Sequence, residues 1–93
     1  MKLMAYRLLS AAQREIIRVK VALLCVGDKV RCVFVDESYV SNSVKVIHSI
    51  EKEILIADIE WSDGKYESDN KRVTLIKSNF QLDRHGNLIY IDY

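Results

Sequence analysis

The sequence predicts a mainly β, α+β fold: an N-terminal amphipathic helix, then a small barrel of five to six antiparallel strands that ends in a C-terminal hairpin. Three observations carry this reading. A capping signature opens an apolar rhythm of helical period near Ser10, the rhythm changes to a period of two from Lys29, and tight glycine-bearing turns separate the short alternating runs that follow. Ninety-three residues fit one domain, read as a helical leader over 1–25, a barrel over 26–77 and a hairpin over 78–93.

The helix comes first. Ser10-Ala11-Ala12-Gln13 has the spacing of a capping box, which predicts a helix starting near Ala11. Projection at about 100° per residue places Leu9, Ala12, Ile16, Val19 and Leu23 on one stripe, with Arg14 and Arg18 opposite, and Arg7 too if the helix starts earlier. Residues 17–23 also alternate like a strand, and the helical reading is preferred. Gly27 is the expected stop, because glycine takes the left-handed conformation without a Cβ penalty.

The strands follow in order. Val30, Cys32 and Phe34 share one face of the first. After a polar loop over 36–43, Val44, Val46, His48 and Ile50 share a face of the second, and Glu51-Lys52-Glu53 turns the chain. In the third, Leu55, Ala57, Ile59 and Trp61 are in phase, which makes Trp61 a core residue closing the barrel ahead of the Asp63-Gly64 turn. Arg72–Ile76 forms a fourth strand, and Phe80–Leu82 pairs with Leu88–Ile91 across a turn at Arg84–Asn87.

Composition narrows the function. Apolar residues make up 49% and charged residues 29%, which excludes intrinsic disorder. Charges interrupt every apolar run, so no membrane span is expected; the apolar start is split by Arg7 and reads as mature, cytoplasmic protein rather than a signal peptide. Cys25 and Cys32 read as small buried thiols, and their spacing matches no metal knuckle. Residues 1–31 carry seven Lys/Arg against Glu15 and Asp28, while residues 32–93 carry seven against eleven Asp/Glu: a basic leader on an acidic body.

The run Val26-Gly27-Asp28-Lys29-Val30-Arg31-Cys32-Val33, an aromatic in the first loop, a strand running into Asp63-Gly64 and the short Val73-Thr74-Leu75 strand together resemble Tudor or KOW-type modules over roughly residues 26–77. The resemblance implies an SH3-like barrel. It departs from the pattern in two places: Tyr39 stands alone where Tudor-like modules often hold an aromatic pair, and Asn42-Ser43 replaces an early second-strand glycine of KOW-like modules.

Candidate site residues fall into two sets. Tyr39, Tyr66, Trp61 and Phe34 supply aromatic faces for a cation or base, with Asp63 as the orienting carboxylate. Arg7, Arg14, Arg18 and Lys20 supply a basic surface for phosphate. His48 reads as an interior or edge residue, and no catalytic, cofactor or metal motif appears. The preferred expectation is a non-catalytic protein-interaction module, a small regulator or inhibitor of a larger host complex, because an acidic barrel repels a phosphate backbone. The alternative is a DNA- or RNA-binding module that uses the arginine face and loop aromatics.

Overall fold

Ser10 caps the helix as its spacing predicts. In the computed structural model, which describes residues 10–35, 40–64 and 71–92, helix α1 spans Ala11–Ala22. The Gln13 N–H donates to Ser10 Oγ at 3.1 Å, and the Ser10 N–H donates to Gln13 Oε1 at 3.0 Å. Two amides left without intrahelical partners are thereby satisfied.

The helix buries a different stripe from the expected one. Ile17 and Val21 are buried and Leu24 packs beside them, whereas Ile16, Val19 and Leu23 are exposed. Ile17/Val21/Leu24 and Ile16/Val19/Leu23 both have helical spacing and are centred about 130° apart, so docking against the last two strands, and not periodicity, decides between them. The helix also ends at Ala22, before Gly27. Gly27 serves the connection instead: it takes φ 93°, and its N–H donates to the Ile47 carbonyl at 2.8 Å.

Six strands follow: β1 Lys29–Val35, β2 Val40–Ile50, β3 Ile54–Ser62, β4 Val73–Ile76, β5 Phe80–Leu82 and β6 Leu88–Asp92. They form one curled sheet, a half-barrel, in the order β4-β3-β2-β1-β6-β5. The pairing is mixed, which corrects the all-antiparallel expectation: β6 lies parallel to β1, with Cys32 beside Tyr90. The final hairpin is therefore part of the sheet, docked along β1. Its turn is held by Asp83, whose Oδ1 accepts from the N–H groups of His85 and Asn87 at 2.8 and 2.9 Å. The bond from Asn87 comes first among the causes that hold the Asp83 carboxyl below its ordinary range.

Val30, Cys32, Ile47, Leu55, Ala57, Leu75, Phe80 and Tyr90 gather with Ile17 and Val21 on the concave face. Phe80 meets Tyr90 edge-on with ring centroids 5.0 Å apart. The Ile76 N–H donates to the Tyr90 hydroxyl at 3.0 Å. Three strands separate β4 from β6 in the sheet order, so this bond closes across the hollow of the curl. Cys32 is buried as expected; Cys25 is exposed, which corrects its reading as a buried thiol. No helix among the described residues is long and apolar enough to cross a membrane.

Candidate functional site

Trp61 is not a core residue. The β2–β3 register runs Ile47 to Ala57 and Lys45 to Ile59, then shifts so that Val44 faces Trp61 and Ser43 faces Ser62. Glu60 is the extra residue of a bulge, and one inserted residue moves every side chain beyond it to the other face. Leu55 and Ala57 point inward, and Trp61 stands on the convex face, 53% exposed. The bulge thus presents a large aromatic ring from a paired strand.

Phe34 lies on the opposite face of the sheet. It follows the phase of Val30 and Cys32, packs against the core, and tilts against Tyr90 at 6.4 Å between centroids. Phe34 and Trp61 therefore do not line one site. Tyr39, Tyr66 and Arg7 lie outside the described residues. Asp63 accepts from Ser41 Oγ at 3.3 Å and from the Asn42 N–H at 3.0 Å, and so fastens the end of the β2–β3 ladder.

The inward row of β2 is the feature that sequence reasoning missed. The Val44/Val46/His48/Ile50 face is half-buried or exposed, and the buried row is Ser41, Ser43, Lys45 and Ile47. Lys45 is fully buried with Nζ 6.0 Å from the centre of the Phe34 ring. His48 keeps the phase of Val44 and Val46 on the convex face and its ring is exposed, which corrects its interior placement.

The convex face carries rows of cross-strand neighbours. In one, Lys29 faces Val46 and Val46 faces Asp58; Lys29 Nζ reaches over β2 to Glu60 Oε1 at 3.0 Å. Arg72 grips Asp58 with two bonds, Nε to Oδ1 at 2.6 Å and Nη2 to Oδ2 at 3.2 Å, while His48 Nδ1 stands 3.4 Å from Oδ2. The Arg72 bonds are the main cause that holds the Asp58 carboxyl below its ordinary range, and the same contact raises Arg72. In the next row Arg31 faces Val44 and Val44 faces Trp61. Arg31 is exposed, and no carboxylate among the described residues lies within ion-pair distance of it.

The helix cations are divided in their use. Arg18 is tied to Glu15 in an ion pair, which lowers the Glu15 carboxyl, whereas Arg14 and Lys20 are exposed. Among the described residues no cluster of three or more His, Cys, Asp or Glu gathers as metal ligands.

Comparison with known protein families, curated proteins and solved structures finds no match to this chain. The Tudor/KOW likeness rests on the sequence pattern of residues 26–77 alone.

Proposed function

We propose that the chain is a non-catalytic protein-interaction module whose contact surface is the convex sheet face around Trp61. The observation that carries this reading is the bulge at Glu60, which turns the single tryptophan outward beside half-buried Val44 and leaves it 53% exposed. An indole held on a paired strand has little conformational freedom left to lose on binding, and tryptophan is enriched among the anchors of protein interfaces. A regulator or inhibitor of a larger complex fits this chemistry. The nucleic-acid reading keeps one support, the exposed Arg14 and Lys20 on the helix.

Affinity capture from nuclease-treated lysate with wild type and Trp61→Ala tests the proposal. The expected result is a captured protein that survives nuclease and is lost with Trp61→Ala while the variant melts close to wild type. Capture that vanishes with nuclease favours nucleic acid. Capture unchanged by Trp61→Ala removes the convex face as the contact surface.

A further inference from the structure

We infer that the partner segment received on this face is acidic and apolar together: a carboxylate for Arg31 and a hydrophobic side chain for Val44 and Trp61. The inference rests on the protein-interaction reading above and adds the chemistry of the partner. Two neighbouring rows of the convex face differ in how their cations are answered.

In the Lys29 row the cation is answered within the chain. Lys29 reaches Glu60 across β2, and Asp58 in the same row is held by Arg72. In the Arg31 row the same three-strand geometry sets an arginine on β1, a valine on β2 and an indole on β3, where no carboxylate stands opposite. The Asp83 carboxyl feels Arg31, but only as the last of several causes, and the pair is not within ion-pair distance. The Glu60 bulge produces this arrangement: it sends the acidic residue to bridge Lys29 and brings Trp61 into line with Val44. Among the described residues, Arg31 is a cation on this face with no carboxylate in ion-pair distance, which leaves it to an outside acid.

Charge and spacing then describe the occupant. Arg31 and Trp61 stand two strand spacings apart, roughly 10 Å, a span that an extended peptide covers in about three residues. A guanidinium engages a carboxylate through two parallel bonds, and the indole gives an apolar neighbour a flat surface to cover. The Lys29–Glu60 and Arg72–Asp58 pairs border the row with charge that is already balanced, so a basic segment gains nothing here and meets Arg31 with repulsion.

The test is selection of a displayed library of random short peptides on the whole chain, followed by titration of a selected, synthesised peptide with Trp61 fluorescence as a local signal. The expected result is enrichment of Asp or Glu near Leu, Ile or Phe, with affinity falling about tenfold in Arg31→Gln and with raised salt, as for a charge pair at an interface. Selected peptides without acidic enrichment, or affinity unchanged in Arg31→Gln, overturn the inference while leaving the protein-interaction reading in place. Oligothymidylate that quenches Trp61 and needs Arg31, with no peptide selected, overturns both.

Discussion

At one end of the concave face Ile47 stands opposite Ala57 in a cluster with Leu55 and Leu75; at the other, Lys45, Ser43 and Ser41 continue the same buried row of β2. Both ends are buried, but they are held by different forces. Aliphatic side chains stabilise by leaving water whatever their neighbours, whereas each buried polar group must regain the hydrogen bonds it gave up. Ser41 does so through Asp63, and Lys45 is placed over Phe34. One strand thus carries the fold at one end and a specific polar arrangement at the other.

The largest predicted effect belongs to the apolar end. Leu55→Ala removes a fully buried side chain from the centre of the cluster and is expected to cost about 2–5 kcal/mol, read from denaturant melts. Asp63→Ala comes next, because it strips an acceptor from Ser41 Oγ and one from the part-buried Asn42 N–H, at about 1–3 kcal/mol. If Asp63→Ala costs more than Leu55→Ala, the polar end and not the aliphatic cluster holds the sheet.

What the sequence revealed was local. The Ser10–Gln13 box, the period change at Lys29 and the glycine turns each depend on residues within a few positions of one another, and the helix and strands fall close to where those signals place them except β2, which starts at Val40 inside the loop expected over 36–43. The faces were less legible. The bulge residue Glu60 is an ordinary acidic residue with no glycine to mark it, and the phase of Trp61 depends on that one insertion. The inward row of β2 was hidden for another reason: alternation favours burying Val44 and Val46, while Ser41 is satisfied by Asp63, 22 positions away. Helix α1 offered two apolar stripes, and only its docking chose Ile17 and Val21.

Trp61→Ala is a small-effect counterpart to these mutations. Its side chain is half in water and ends no cluster, so the loss is expected to stay within about 1 kcal/mol. A cost of about 3 kcal/mol or more, the scale for deleting a buried aromatic, means that Trp61 is covered by the fold and is not presented from it.

The smallest effect, and the sharpest test of the polar end, is Ser43→Ala. Ser43 is fully buried, and its Oγ has no hydrogen-bond partner among the described residues. An unanswered hydroxyl in a dry interior costs its desolvation without a return, so deleting it is expected to leave stability unchanged or to raise it by up to about 1 kcal/mol. Ser41→Ala, one repeat along the same row, is expected to lose about 1 kcal/mol, because its Oγ donates to Asp63. The two substitutions remove the same atom from neighbouring buried positions, so their difference reports what the polar contacts of Ser41 add beyond the change in packing. If both lose stability equally, a water molecule answers Ser43 as Asp63 answers Ser41, and the polar end is a fully satisfied network.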